Sequence, residues 1–441
     1  MKPVLTFAAS FAVSILAALP ALAEIEVQEV DTPGGIHAWL LEEPSIPFTS
    51  LEIRFQGGTA LDPEGKQGAT NLMVGLLEEG AGELDSRGFA DARDALAASF
   101  RYSANVDSVS VSAKFLTENR DEAVDLLRES LVNPSFDQEA LDRVRGQVIS
   151  GIRSDQMDPD AIASATFDKL MFGDHPYATR SDGTVDSVTS LTRDDMIDAW
   201  QGALARDRIY VAAAGDISAD ELSTLLDELL GDLPETGAPM PEPVSVQASA
   251  GVTVVPFDTP QSVAQFGHEG IKRDDPDFFA AYVMNTILGE GGFESRLMHE
   301  VREKRGLTYG IYSYLMPMDH AELYVGRVAS ANDRIAEAVS VIGDEWAKMA
   351  SDGVTEAELE QAKTYLTGAY PLRFDGNGPI ARILVGMQMD GLTPDYITSR
   401  NERIEAVTLD DVARVAKRLL KPDSLRFVVV GQPEGLEETP G

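Results

Sequence analysis

The chain repeats itself at one long interval. Leu191-Thr192-Arg193-Asp194-Asp195-Met196 leads to Asp207 and then to the apolar run RIYVAAAG, which ends at Gly215. Val407-Thr408-Leu409-Asp410-Asp411-Val412 leads to Asp423 and then to LRFVVVG, which ends at Gly431. Leu191 to Val407, Asp207 to Asp423 and Gly215 to Gly431 all span the same 216 residues. Upstream, Glu122-Ala123-Val124 answers to Glu337-Ala338-Val339 at nearly that spacing, and Ala140-Leu141 aligns loosely with Glu358-Leu359. Shared order and spacing are what a duplicated domain leaves behind, and so long a period means paired domains rather than a solenoid. Between Gly231 and Gly251 the sequence GDLPETGAPMPEPVSVQASAG carries Pro234, Pro239, Pro241 and Pro243. Prolines favour extended backbone and deny helix donors, so this stretch reads as the joint between the two halves.

Within each half, strand and helix patterns alternate. Residues 36–42 and 50–56 read as strands, and Ser108-Val109-Ser110-Val111-Ser112-Ala113-Lys114-Phe115 alternates with period two, as a half-buried strand should. Asn119 with Glu122, Ser218 with Glu221 and Thr355 with Glu358 each have the spacing of a capping box and predict helix starts. Each half is therefore expected to be an α+β unit, a sheet with helices packed on one face.

Composition narrows the chemistry. Of 441 residues, 73 are acidic and 36 basic, a formal charge of −37 that disfavours nucleic acid and anionic lipid as partners. The absence of cysteine removes disulfides, thiolate nucleophiles and thiolate metal sites. The five histidines, His37, His175, His268, His299 and His320, include no pair three or four residues apart, so no helix can offer two imidazoles to one metal ion. At the N-terminus, Lys2, the apolar stretch Val4 to Leu19, Pro20 and Ala21-Leu22-Ala23 form a secretory signal of bacterial style. Cleavage after Ala23 predicts an exported chain, periplasmic or secreted, with no membrane association after cleavage. The expected organisation is a signal peptide over 1–23, an N-terminal domain over 24–233, a proline-rich linker over 234–250, a C-terminal domain over 251–433 and a tail over 434–441.

The segment from Gly68 to Gly80 reads as a helix, and here the chain resembles the insulinase and mitochondrial-processing-peptidase family of zinc peptidases. The resemblance implies two homologous α+β domains with antiparallel-rich sheets, a half-clamshell. In that family this helix bears the inverted motif H-x-x-E-H, two zinc ligands and a glutamate base. The matching positions here hold Asn71, Val74 and Gly75, and the position of the family's third ligand holds Gly151. Base and ligands are absent together, so no metal is expected in this chain. Glu78 and Glu79 read as a solvated helix end rather than substitutes.

The second half departs less. Leu288 to Tyr309 is similar to the family's C-terminal signature over its whole length, and a weaker resemblance covers nearly all of residues 28–433, including His175-Pro176-Tyr177 and Gly183-Thr184. In the family an arginine and a tyrosine hold the scissile carbonyl and its developing oxyanion. The matching pair is Arg302 and Tyr309, and a guanidinium and a phenol are suitable donors to a tetrahedral transition state. From spacing alone, Arg302 is a charge in a last helical turn ended by Gly306, and Tyr309 opens an alternating strand. Gly291 and Gly292 belong to a glycine loop that lacks P-loop context and reads as a cleft loop that touches substrate. His299 reads as a helix-surface histidine and His175 as a loop residue. The resemblance then implies the zinc-free subunit of a two-chain metallopeptidase, inactive alone, with zinc and base held by a homologous partner subunit and an unfolded peptide as substrate. A non-catalytic structural or peptide-binding role is the alternative.

Overall fold

In the computed structural model, which describes residues 26–247 and 249–439, side-chain alternation builds the first sheet. The expected signal segment 1–23 lies outside the described residues. Strands β1 (Gln28–Asp31), β2 (His37–Glu42), β3 (Phe48–Gln56), the short hairpin of β4 (Gly80–Ala81) and β5 (Leu84–Asp85), then β6 (Ser99–Ala104), β7 (Ser108–Leu116) and β8 (Ile209–Gly215) come from the first half. Six of them form one sheet in the order β1-β2-β8-β3-β7-β6. Only β2 and β8 run parallel. On β7, Val109, Val111, Ala113 and Phe115 are buried in the core of this half, with Leu51, Ile53 and Phe55 from β3 and helical residues such as Leu72 and Leu127. The alternate positions, Ser110 and Ser112 on β7 and Ser50, Glu52 and Arg54 on β3, face the other way and line a cavity.

The second half repeats the plan with β9 (Gly251–Pro256), β10 (Gln261–Glu269), β11 (Ile311–Pro317), β12 (Glu322–Ala331) and β13 (Arg426–Gly431). Their order is β11-β12-β10-β13-β9, with β13 and β9 parallel. Among the described residues between the helix Ala219–Leu230 and Gly251 there is no regular helix or strand. The repeated interval has a structural cause at Gly215 and Gly431. Each ends its strand at positive φ, 131° and 151°, and a Cβ would overlap Phe48 O in one sheet and Ser262 in the other. Only glycine meets both demands without strain.

Each sheet also receives, on its second face, one helix of the other half. Pro159–Phe172 places Ala163, Phe167 and Met171 against Val263, Val428 and Val430 of the second sheet. Reciprocally, Asn377–Met389 places Ala381, Leu384 and Val385 against Trp39, Ala212 and Ala214 of the first. Burial of these apolar faces, at roughly 25 cal/mol per Å², ties each half to the sheet of the other.

Two of the three expected capping boxes form. Ser218 accepts from Glu221 N and Thr355 from Glu358 N, and each glutamate reaches back to the cap. Asn119 does not cap its helix. A 3-10 turn over Thr117–Asn119 precedes Arg120–Val132, and the Asn119 amide is spent on Leu96 O at 2.9 Å. Among the described residues no helix is long and apolar enough to cross a membrane.

Candidate functional site

The helix Ala69–Leu76 begins where Asp62 accepts hydrogen bonds from Gly68 N at 2.8 Å and Thr70 N at 2.9 Å, satisfying donors that the first turn leaves open. On this helix Asn71 is half-buried, Val74 is in the core, and Gly75 is exposed. Gly151 lies on Gln138–Asp155, which packs beside it. Amide, isopropyl and two hydrogens offer no thiolate, imidazole or carboxylate to a metal ion. The nearby carboxylates are engaged elsewhere. Glu78 pairs with Arg93 at 3.1 Å, and Glu79 takes two hydrogen bonds from Arg143, which hold its pKa below the usual range. Among the described residues no group of three or more His, Asp or Glu side chains is disposed to hold a metal.

Arg302 lies half-buried near the end of the π-helical turn Met298–Glu303, and its carbonyl accepts from Gly306 N at 2.8 Å, where Gly306 turns the chain at φ 60°. The surrounding charges are tied down. His299 Nδ1 contacts Glu303 at 3.0 Å, a helix-surface pair. Glu300 is partly buried, which opposes its ionisation, but hydrogen bonds from Lys304 and Arg305 outweigh burial and hold its pKa at about 2. Tyr309 is 89% exposed and precedes β11 rather than opening it. The cause is Thr308, whose hydroxyl donates to Ala329 O at 2.7 Å and accepts from Gly310 N at 3.1 Å. That local turn competes with the ladder, so pairing starts at Ile311. Gly291 closes the turn Thr286–Glu290 through its N–H to Thr286 O at 2.9 Å and lines a cavity of about 420 Å³ with Ile287, Gln361 and Tyr365. Gly292 stands at φ 59° beside it.

A cavity of about 1320 Å³ lies between the halves and is not lined by Arg302 or Tyr309. Its wall is the polar face of the first sheet, including the outermost strand β6, and its far side is the turn after β11 and the helix Asn377–Met389. Four basic side chains, Arg54, Arg101, Lys114 and Arg382, and five acidic ones, Glu52, Glu78, Asp107, Asp319 and Asp390, line it. This near balance contrasts with the acidic excess of the whole chain. Burial pushes the pKa of Glu52 up, against the Ser112 hydroxyl and the Arg54 and Arg382 charges. Asp107 is likewise raised by burial, although Tyr177 donates to it. A second cavity of about 710 Å³ shares Arg382, Gly386 and Asp390 with the first. The sheet side of the larger of these two cavities went unread, although the i, i+2 set Ser50, Glu52, Arg54 within the expected strand 50–56 is a signal that could have found it. Arg382 had no local signal, because the helix that carries it belongs to the other half of the repeat.

Two family descriptions match consecutive parts of the chain: insulinase, peptidase family M16, over residues 39–180, and peptidase M16 inactive domain over residues 190–366. A Helicobacter pylori protein named non-peptidase homolog YmxG is 27% identical over 391 residues, covering 88% of this chain and 90% of the relative. An uncharacterized zinc protease of Streptomyces coelicolor is 26% identical over 404 residues, 89% of this chain and 87% of the relative. The crystal structure of a peptidase M16 inactive domain from Pseudomonas fluorescens superposes with a TM-score of 0.87 at 28% identity, covering 94% of this chain and 100% of that one. With the two sheets, the exchanged helices and the helix Ala69–Leu76 in place, the chain belongs to the M16 insulinase family of peptidases. Asn71, Val74, Gly75 and Gly151 make it a zinc-free member of that family.

Proposed function

We propose that this chain is the exported, zinc-free subunit of a two-chain M16 peptidase. A homologous subunit would hold the zinc and the general base, and the two half-clamshells would enclose an unfolded peptide. The observation that carries the reading is the split between the halves. Every metal and base position is lost from the first, whereas the signature from Leu288 to Tyr309 remains in the second. A chain relieved of all catalytic duty has no need for that signature.

In this reading Arg302 and Tyr309 act in trans. The guanidinium is always charged and the phenol is a single donor, so together they stabilise negative charge that develops on the scissile carbonyl oxygen. The exposure of Tyr309 suits a side chain that completes a site on another subunit. The cavity wall contributes binding. Strand β6 is the outer edge of its sheet, and an unpaired edge can accept an extended chain through backbone hydrogen bonds.

The test is a pull-down from the native periplasm followed by a peptide-cleavage assay. The expected outcome is an exported partner of similar length bearing H-x-x-E-H, and cleavage by the pair that chelator abolishes. This chain alone should be inactive. The name of the Helicobacter pylori relative favours a second reading, a non-catalytic peptide-binding member, and co-purification of no such partner would support that reading instead.

A further inference from the structure

We propose that the 710 Å³ cavity is a binding site for a peptide carboxylate, held by Arg373 and the hydroxyl of Tyr370. Four arginines, Arg273, Arg373, Arg382 and Arg400, line this cavity against two acidic residues, Glu290 and Asp390. In a chain with twice as many acidic as basic side chains, this inverts the local charge and favours an anion.

The acidic side chains cancel only part of this excess. Asp390 accepts from Arg273 at 3.3 Å, and Glu290, which accepts from Asn285 Nδ2 at 2.9 Å, stands against the two charges of Arg373 and Arg400, so one positive charge is left over. Arg382 reaches out of the cavity toward Glu52 at 3.6 Å. Arg400 is buried, donates to Leu366 O and Asn401 Oδ1, both at 3.1 Å, and lies 4.3 Å from the centre of the Tyr370 ring. Arg373 makes no side-chain hydrogen bond or ion pair among the described residues. The 3-10 turn Pro371–Arg373 fixes it three residues after Tyr370, with Arg373 N donating to Tyr370 O at 3.1 Å.

Tyr370 supplies an independent sign of a ligand. It is 6% exposed, it lines the cavity, and its Oη is buried without a hydrogen-bond partner. Buried hydroxyls are normally satisfied, so an orphan in a cavity wall marks the place of an acceptor from outside. A carboxylate offers two coplanar acceptor oxygens, one for the phenol and the other for the guanidinium fork. A bare inorganic dianion fits less well, because Glu290 and Asp390 oppose a second negative charge and Phe278, Tyr282 and Tyr396 offer aromatic walls to an organic neighbour. Continuity with the cleft along β6 makes the carrier an extended peptide, and in this one respect the inference rests on the proposed function. The carboxylate could be a C-terminus or an Asp or Glu side chain.

Fluorescence anisotropy on the whole chain, without any partner, tests the site. One labelled peptide sequence is used in four forms: an acidic residue with a free C-terminus, the acid replaced by its amide, the C-terminus amidated, and both changes together. The doubly neutral peptide should bind at least tenfold more weakly than the fully charged one, and the two single changes identify which carboxylate is seated. Arg373→Gln, at an exposed position that leaves packing intact, should reduce that preference to less than twofold. Tyr370→Phe should weaken the charged peptide several-fold and leave the doubly neutral one unchanged. Equal binding of all four peptides, a preference that survives Arg373→Gln, no peptide binding up to millimolar concentration, or displacement by inorganic phosphate more readily than by acetate would each overturn the site. Because no cleavage is measured, these failures are distinct from failure to find a zinc-bearing partner.

Discussion

His268 shows how a single residue can be present in the sequence and unreadable there. It is fully buried, its Nε2 accepts from Trp346 Nε1 at 2.9 Å, and its Nδ1 faces Glu269 O at 2.7 Å. Those partners fix a neutral ring with its proton on Nδ1, and burial pushes its pKa down to about 4. The unfolded chain, with a histidine pKa of about 6.5, binds the proton first, so stability is full above that value and falls as pH drops toward about 4. This contribution is lost between pH 7 and pH 5, while buried Asp168, whose pKa burial raises to about 7, acts in the opposite direction over the same range. Urea unfolding of the wild type and of His268→Gln, whose amide can keep both hydrogen bonds, isolates the histidine: the variant should gain stability relative to the wild type on going from pH 7 to pH 5. The lost zinc positions, by contrast, were fully legible, since Asn71, Val74, Gly75 and Gly151 are unfit by side chain alone. The surroundings of Arg302 were legible only in part. Its place in a last turn ended by Gly306 was visible, but the Thr308 turn that keeps Tyr309 out of β11 depends on a hydrogen bond to Ala329, which no local pattern announces.

At the scale of elements, period-two alternation identified β7 because it has one face in a core. The repeat interval identified the paired sheets because Gly215 and Gly431 answer the same backbone demand. What stayed hidden is the exchange of helices, since Pro159–Phe172 and Asn377–Met389 carry ordinary apolar stripes and nothing in a stripe says which sheet it covers. The exchange predicts that the halves unfold together. Phe167→Ala, in a cluster built on the second sheet, should cost about 3–5 kcal/mol, and Leu384→Ala, in the cluster on the first, about 2–5 kcal/mol. Tryptophan fluorescence can follow both halves, because Trp39 belongs to the first sheet and Trp346 to the core of the second half. Each substitution should shift one common transition. A split into two transitions would show that the halves fold separately.

At the scale of the whole molecule, the two sheets enclose a cleft whose lining is nearly neutral inside an acidic shell. The halves also meet at a latch beside that cleft. Tyr177 donates to Asp107, the His320 N–H donates to the Tyr177 hydroxyl at 3.0 Å, and Gln56 Nε2 donates to Asp319 at 2.7 Å. Composition foretold the acidic exterior but not the cleft, which exists only once residues more than 200 positions apart face one another. The zinc-free first half and the intact second-half signature form one account, a subunit that lends donors to a partner's reaction. Arg302→Ala, assayed for peptide cleavage in the reconstituted pair, tests it most directly. Loss of a transition-state donor is worth roughly 10²–10³ in kcat, so the account predicts a fall of that order with KM little changed. A kcat equal to that of the wild-type pair would contradict it.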